Sequence, residues 1–383
     1  EGHKLRIDFL KEAEKELDFD IYGWDNNHNF TNYNGKLENG KNDGLFPYKY
    51  TFIAENVSRN NFCTEKFTDA ILSECLIFYW GCPNIDDFYD PLCYIKLDLY
   101  NITGSIRKIR QSVMSNQWEK RIGVIRDMKY KILNKYSFAP RVLGLIKVNE
   151  LEKRTVNLEM RNEKWVNHKE LCKLNQVRNV NRFNAVDGNK IDLDKLTVPF
   201  SLTANFIGNG KNTGGIIGCA LSHYELWEES VKLNKTLLIM EDDVTFCEQF
   251  VDRLANVIDE VRDVLFIGFH DHEYNLKHHN LPTDFLTKEF NKSDVIPFDF
   301  LTKYASPGDA VGLTGGGTFG YLISPKGALK LLNCVKEYTF YFPVDYFMLE
   351  AGLRYGVELH FTPHRLIYSP KFGIDTDISD IQN

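Results

Sequence analysis

Three carboxylates follow a short apolar run in the segment LLIMEDDVTF, at Glu241, Asp242 and Asp243. Adjacent carboxylates repel one another unless a positive charge lies among them. Carboxylate oxygens are also the ligands that Mg²⁺ and Mn²⁺ prefer in proteins. The spacing therefore predicts a divalent cation site directly after a buried strand. A solvated acidic turn that caps the following helix is the alternative interpretation.

The position of this triplet favours a ligand site. In open α/β sheets, ligands bind at the carboxyl ends of the strands, and the triplet directly follows the predicted strand LLIM. A cation held there would bind the diphosphate of a nucleotide sugar. It would neutralise the charge that builds on the departing diphosphate as the sugar bond breaks.

The elements around the triplet alternate between helical and extended patterns. Helices are predicted for TGGIIGCALSHYELWEESVKLN and FVDRLANVIDEV, in which apolar residues recur at the helical period. Strands are predicted for RVLGLIKVN, RNVNRFN, KTLLIM and DVLFIGF, and a helix is predicted to begin in EKRTVNLEMRNEKW. This alternation predicts an α/β fold with Rossmann-like, doubly wound sheets.

The first third of the chain has a similar pattern. YKYTFIAEN, TEKFTDAILSE and CLIFYW predict a strand, a helix and a strand, after a loop rich in Asn and Gly at 20–45. The charged amphipathic stretch 106–136 predicts helices that close this part. With 383 residues, the chain is long enough for two domains, which we expect at 1–138 and 139–383.

Composition excludes several functions. The formal net charge of −7 provides no basic excess to neutralise phosphates, so neither nucleic acid nor an anionic membrane surface is an expected partner. No apolar run reaches the ~18 residues that a membrane span requires. The 8 cysteines form no CxxC motif, and they are predicted to be free thiols rather than disulfides.

Five ordered motifs resemble glycosyltransferase family 25, which includes lipooligosaccharide and procollagen galactosyltransferases. They are RFNAVDG, GGIIGCALSHYELW, LLIMEDDVTF, GTFGYLISPKGALKLL and FPVDYF, and the resemblance covers about residues 140–383. It implies a GT-A-like domain, a UDP-sugar donor, inversion at the anomeric carbon and a Mn²⁺ requirement, with Mg²⁺ as the alternative. The implied acceptor is a hydroxyl group of a glycan or of hydroxylysine in a collagen-like protein, and a homodimer is the expected assembly.

The resemblance also implies residue roles. Glu241 and Asp243 would bind the metal, and the third ligand would come from His360, His364, Asp375 or Asp377, of which we choose Asp377. The implied donor-binding residues are Asp187, Gly188, Gly218, Ser222, His223, Asp242, Gly316, Gly317 and Thr318.

Three of these assignments have structural alternatives. The pattern of Gly218, Ser222 and His223 equally fits tight helix packing with a histidine inside the core. The glycines at 315–317 equally fit a flexible turn. An inverting transfer needs one base to take the acceptor proton, and Asp345 in FPVDYF is the implied base. A helix N-cap is the alternative role for Asp345.

The region 1–135 resembles the donor-binding lobe of family 10 α-1,3-fucosyltransferases, a half of a GT-B-like enzyme. The resemblance places nucleotide-binding roles on Glu55, Asn56, Thr64, Glu65 and Lys66. Lys66 near a helix start would meet a donor diphosphate. A surface pair between Glu65 and Lys66 is the structural alternative, and the lobe that brings the catalytic base in such enzymes has no counterpart in this sequence.

Three functional hypotheses follow. The first is Mn²⁺-dependent inverting transfer of a hexose, namely galactose from UDP-galactose. The second is fucosyl transfer from GDP-fucose by the N-terminal lobe. The third is a carbohydrate-binding scaffold without catalysis.

Overall fold

The computed structural model of the chain describes residues 2–38, 40–201, 213–269, 295–298, 317–341 and 343–369. The chain divides into two compact units, unit 1 (Glu1–Pro140) and unit 2 (Arg141–Asn383). The boundary falls inside the helix Phe138–Glu150.

Unit 1 contains a three-stranded parallel sheet with strand order β1-β2-β3. Its strands are β1 (Tyr50–Ala54), β2 (Leu76–Trp80) and β3 (Tyr94–Lys96), and its helices are α1 (Gly2–Ala13), α2 (Glu65–Leu72), α3 (Ile102–Met114) and α4 (Gln117–Lys131). A π-helical turn, Ile132–Tyr136, follows α4, and short 3₁₀ turns lie at Lys41–Gly44, Ile85–Asp87 and Pro91–Cys93.

The core of unit 1 forms where the sequence pattern predicts it. Every residue of β2 is buried, as expected for a central parallel strand covered on both faces. The helix α2 buries Phe67, Ala70 and Ile71 against it, at the predicted helical spacing. Strand, helix and strand thus follow one another in the predicted order.

Unit 2 contains one mixed sheet whose main path is β5-β4-β6-β10-β8-β11-β9. Its strands are β4 (Glu152–Asn157), β5 (Val180–Asn184), β6 (Leu237–Glu241), β7 (Thr245–Phe246), β8 (Val264–Gly268), β9 (Ile296–Pro297), β10 (Gly320–Ile323), β11 (Leu359–Phe361) and β12 (Ile367–Tyr368). Its helices are α5 (Phe138–Glu150), which begins in unit 1, α6 (Asn162–Leu174), α7 (Thr213–Leu233), α8 (Phe250–Val257), α9 (Pro325–Tyr338) and α10 (Val344–Arg354), with 3₁₀ turns at Gly188–Lys190, Leu193–Lys195 and Ile258–Glu260.

The sheet of unit 2 is not a purely parallel, doubly wound sheet. The strand β6 pairs in parallel with β4 but antiparallel with β10, which is also antiparallel to β8. The general prediction of a mixed α/β fold with parallel strands is confirmed. The continuous apolar run of β6 reflects burial on both faces, which the two cores of unit 2 provide whatever the direction of the neighbouring strands.

The prediction for residues 141–165 is wrong by one element. RVLGLIKVN forms helix α5 rather than a strand, and the strand is the following segment, Glu152–Asn157. Gly144 and Val148, four residues apart, are the buried positions of this helix, and a Cβ on Gly144 would lie 2.6 Å from the Ala255 carbonyl oxygen. A hydrophobicity pattern does not reveal this strand, because the residues that it buries are polar: Lys153, Thr155 and Asn157.

Two cores cover the two faces of the sheet in unit 2. Leu237 and Ile239 of β6 face one core, and Leu238 and Met240 face the other. All eight cysteines are free thiols, as predicted. Among the helices that the structure describes, none is both long enough and apolar enough to cross a bilayer.

Candidate active site

The acidic triplet begins at the carboxyl end of β6, as the sequence predicts. Leu237–Met240 are fully buried, and Glu241 is the last residue of the strand. Oε1 of Glu241 accepts a hydrogen bond of 2.8 Å from the Thr318 hydroxyl, and its backbone N–H donates to the Phe319 carbonyl at 3.1 Å. Thr318 directly precedes the β10 region that pairs with β6, which explains why these groups meet.

Three carboxylates act on Glu241 at this position. Burial is the largest effect that raises the pKa of Glu241 to about 8, followed by the charges of Asp243, Asp242 and Asp345, against a hydrogen bond from Thr318 that lowers it. A raised pKa means that the groups around Glu241 stabilise its ionised carboxylate less well than water does. The cluster is therefore an environment that favours an added positive charge.

Asp345 reaches the same cluster from α10. Its Oδ2 accepts a hydrogen bond of 2.9 Å from the backbone N–H of Gly317. The helix N-cap is Pro343, and Asp345 lies in the first turn, so the N-cap alternative for Asp345 does not describe the observed contact. Gly317 has a φ of 93°, a conformation that favours glycine.

The middle carboxylate has a different partner. Oδ2 of Asp242 accepts a short hydrogen bond from the side-chain amide of Asn157, the last residue of β4. The sequence analysis missed Asn157 because that segment was predicted to be helical. The signal that could have identified it is a polar residue at the end of a strand next to the acidic triplet.

The donor chemistry of the cluster fits a divalent cation, since carboxylate oxygens are hard ligands. Within the described ranges, no three His, Cys, Asp or Glu side chains are placed to hold a metal ion. His360 in β11 and His364 after it therefore do not complete a set of three with Glu241 and Asp243. Asp375 and Asp377 lie outside the described residues, as do Gly315 and Gly316.

The turn after β5 packs closely on α7. A Cβ on Gly188 would lie 1.8 Å from the Gly214 carbonyl oxygen, and a Cβ on Gly218 would lie 2.4 Å from the Val186 carbonyl oxygen. The Ser222 hydroxyl accepts from the Val186 N–H at 2.9 Å and donates to the Gly218 carbonyl at 2.7 Å. The glycines and Ser222 thus bring the turn into contact with the helix.

Asp187 is partly exposed, whereas His223 is buried. Asp187 makes a 3.0 Å ion pair with Lys190, and this hydrogen-bonded partner lowers the pKa of Asp187. His223 is fully buried, and its Nδ1 lies 2.7 Å from the Tyr321 hydroxyl. Burial lowers the pKa of His223 to about 4. His223 thus has the surroundings of a core histidine, which was the structural alternative.

Unit 1 has a smaller polar cluster at the carboxyl end of β1. Glu55 is buried, and it accepts hydrogen bonds from the Thr64 N–H and hydroxyl, each at 2.9 Å. Lys66 Nζ lies 3.0 Å from the Thr64 hydroxyl and 3.8 Å from Glu55. Glu65 pairs with Lys41 at 3.2 Å, so the observed pair is not the expected Glu65–Lys66 surface pair.

Asn56 lies beside this cluster. Its side chain is exposed, and its carbonyl oxygen accepts from the Gly2 N–H at 3.0 Å. The structure therefore brings Glu55, Thr64 and Lys66 together, and it leaves the side chains of Asn56 and Glu65 at the surface.

Residues 148–348 match the family model described as glycosyltransferase family 25 (LPS biosynthesis protein). A "Glycosyltransferase 25 family member" from Aedes aegypti is 30% identical over 241 residues, which are 56% of this chain and 35% of that protein. This chain therefore spans only about a third of the length of that relative.

Two further relatives match shorter segments. "Procollagen galactosyltransferase 2" from Homo sapiens is 49% identical over 51 residues, which are 13% of this chain and 8% of that protein. "Alpha-(1,3)-fucosyltransferase FucT" from Helicobacter pylori is 31% identical over 83 residues, which are 21% of this chain and 17% of that protein.

Proposed function

Since this chain belongs to glycosyltransferase family 25, we propose that unit 2 transfers a hexose from a nucleotide sugar to a hydroxyl acceptor. One observation carries the proposal. Glu241 of β6 and Asp345 of α10, which are distant in sequence, are held by the adjacent residues Thr318 and Gly317. The charge of Asp345 also acts on Glu241. A carboxylate suited to a cation and a carboxylate suited to a base thus share one site.

The specific reaction that we propose is transfer of galactose from UDP-galactose with inversion, in a domain of the GT-A type. The name of the human relative, a procollagen galactosyltransferase, supports galactose as the sugar and a collagen-like acceptor. A glycan hydroxyl is the second acceptor class, in keeping with the family description.

Asp345 is the proposed general base. As the acceptor oxygen bonds to the anomeric carbon, the bond between that carbon and the diphosphate oxygen breaks, and the acceptor proton passes to Asp345. The Gly317 N–H binds Oδ2 of Asp345 and so fixes the carboxylate, while Oδ1 takes the proton. A water molecule in place of the acceptor gives hydrolysis of the donor.

Glu241 and Asp243 are the proposed metal-binding residues, with a further ligand from Asp377 or from the nucleotide. A bound Mn²⁺ would supply positive charge for the departing diphosphate. The raised pKa of Glu241 supports this role, because a cation among the carboxylates would favour the ionised form. Mg²⁺ has the same preference for oxygen ligands.

A screen of UDP-sugars tests the proposed function. With Mn²⁺, the chain is expected to hydrolyse UDP-galactose faster than other UDP-sugars, and chelation is expected to stop the reaction. Asp243→Ala should lower the rate by at least about 10²-fold, the scale expected when charge stabilisation at a transition state is lost. Asp252→Ala is the matched control, because Asp252 is a surface carboxylate of α8 that pairs with Arg141. Equal rates in both variants would contradict the proposal.

The fucosyltransferase relative supports a second candidate function, GDP-fucose binding or transfer by unit 1. Lys66 near the start of α2 and the buried Glu55 are the groups for a nucleotide there. GDP, but not UDP, is expected to bind to this unit, and Lys66→Ala is expected to abolish that binding. Lys41→Ala is the control, because Lys41 is an exposed lysine that pairs with Glu65 and Asp69. If neither nucleotide sugar is turned over, a non-catalytic carbohydrate-binding scaffold replaces both enzyme proposals.

A further inference from the structure

Asn157 is a buried amide in contact with the acidic triplet. The residue is 1% exposed and ends β4, the strand that pairs in parallel with β6. Its Nδ2 donates to Oδ2 of Asp242 and to the Arg161 carbonyl at 3.0 Å. One side chain therefore connects the acidic triplet to the segment that leads into α6.

The orientation of this amide is determined by its partners. An ionised carboxylate and a carbonyl can only accept hydrogen bonds, so the NH₂ group of Asn157 must face both of them. The opposite orientation would place Oδ1 against two acceptors. In the described structure, Oδ1 instead points into the protein and has no hydrogen-bond partner.

A buried acceptor without a partner is unfavourable, and such groups are uncommon in native proteins. An apolar side chain of similar size at this position would avoid the unpaired oxygen. The hydrogen bond to Asp242 is a specific gain that such a side chain could not provide. This contrast suggests a role for Asn157 in the site rather than in packing alone.

The backbone around Asn157 is also held. In the register between β4 and β6, Val156 lies opposite Glu241, so Asn157 lies one residue further, level with Asp242. The Asn157 carbonyl accepts from the Ala185 N–H at 2.9 Å, beyond the end of β5.

We propose that Asn157 is a positioning residue that holds the Asp242 carboxylate in one orientation for hydroxyl groups of the donor nucleotide. The inference rests on the proposed function of unit 2 as a UDP-sugar transferase. It separates the acidic triplet into two parts. Glu241 and Asp243 would hold the cation, while Asp242, fixed by Asn157, would bind the nucleotide.

A double-mutant cycle in the full chain tests the inference. The variants are Asn157→Ala, Asp242→Ala and the double variant, and the measurements are the Kd of UDP by calorimetry, the KM for UDP-galactose, kcat and the melting temperature. Asn157→Ala is expected to raise Kd and KM about tenfold, the scale of a hydrogen bond to a charged group, with a smaller change in kcat. In the Asp242→Ala background it should add nothing, because Asn157 acts through Asp242.

Two variants and a control sharpen this test. Asn157→Asp should weaken UDP binding more than Asn157→Ala, since it places a second carboxylate against Asp242. Asn157→Ser, which keeps a short hydroxyl donor, serves if the alanine variant fails to fold, and it should give a smaller loss. Asn184→Ala is the matched control, because Asn184 is the exposed residue opposite Asn157 on β5.

The outcomes separate the two proposals. If Asp242→Ala weakens UDP binding but Asn157→Ala has an equal effect with and without Asp242, the positioning role is overturned and the proposed function stands. If the unmodified chain neither binds UDP nor turns over UDP-galactose, the proposed function is wrong, and the inference that rests on it falls with it.

Discussion

At the scale of the residue, the candidate site depends on carboxylates that would be unfavourable without a partner. Glu241 is held by Thr318 and Asp345 by Gly317, and the two holding residues are neighbours in the chain. The segment Gly317–Thr318 therefore sets the geometry between the proposed metal ligand and the proposed base. Replacing either carboxylate should affect a different step of the reaction.

Asp345→Asn should remove the base while leaving its position unchanged. The amide oxygen of asparagine still accepts from the Gly317 N–H, but the side chain can no longer take a proton. We expect kcat for transfer to fall about 10²- to 10⁴-fold, with little change in the Kd of UDP. Glu350→Gln is the matched control, because Glu350 is a carboxylate of the same helix that pairs with Arg354. A kcat within twofold of the unmodified chain would rule out Asp345 as the base.

Two buried histidines predict the pH dependence of stability. Burial lowers the pKa of His168 and of His223 from 6.5 to about 4. Between these values the unfolded chain binds protons that the folded chain does not. The stability from the neutral imidazoles is therefore complete above pH 6.5 and is lost as the pH falls toward 4, by about 1.4 kcal/mol per pH unit for each histidine.

Urea unfolding at pH 7, 6 and 5 checks this dependence. His168→Gln and His223→Gln should each flatten the loss of stability on acidification. His28→Gln, at an exposed position, is the control for replacing a histidine outside the core. If the free energy of unfolding still falls as steeply with decreasing pH in both buried variants, other groups cause the acid sensitivity.

At the scale of the element, the space around two helical glycines predicts opposite effects of replacing them by alanine. Gly218→Ala places a Cβ 2.4 Å from the Val186 carbonyl oxygen and should destabilise unit 2 by about 1–3 kcal/mol. Gly123→Ala meets no atom within 4 Å in α4 and should stabilise unit 1 by about 0.5–1 kcal/mol. Differential scanning calorimetry measures both changes. Equal effects would contradict the described packing.

The elements also show how far the sequence could predict this structure. The helix α7 follows from apolar periodicity and the strand β6 from a continuous apolar run, which places the acidic triplet at the strand end. The structure contains all three. The order of α5 and β4 could not be obtained in this way, because β4 buries Lys153, Thr155 and Asn157. Antiparallel pairing of β10 with β6 depends on contacts distant in sequence, which periodicity does not encode.

The candidate site was predictable to a similar extent. The acidic triplet indicated a site at the end of β6, and the resemblance to glycosyltransferase family 25 added Asp345. The structure places Asp242, Asp243 and Asp345 close enough to act on Glu241. The burial of His223 and the contact of Asn157 with Asp242 depend on which face of an element is covered. Those facts became visible only from the packing of α7 and β4.

At the scale of the whole molecule, two units each place polar groups at the carboxyl end of a strand. If each unit binds its own nucleotide, variants in the two units should have independent effects. Asp243→Ala should weaken UDP binding and leave GDP binding unchanged, and Lys66→Ala should do the reverse. Calorimetric titrations of the full chain with each nucleotide measure the four affinities. A loss of both affinities in either variant would contradict independent binding by the two units.

The most direct test of the central claim is a titration of Mn²⁺ followed by electron paramagnetic resonance, with and without UDP. The described residues hold no ready set of three ligands, so the nucleotide should complete the coordination of the ion. We predict that UDP strengthens Mn²⁺ binding to the unmodified chain at least about tenfold beyond the binding of Mn²⁺ to UDP alone, and that Asp243→Ala abolishes this gain. The same Mn²⁺ affinity in both proteins, with and without UDP, would contradict a cation site at the end of β6.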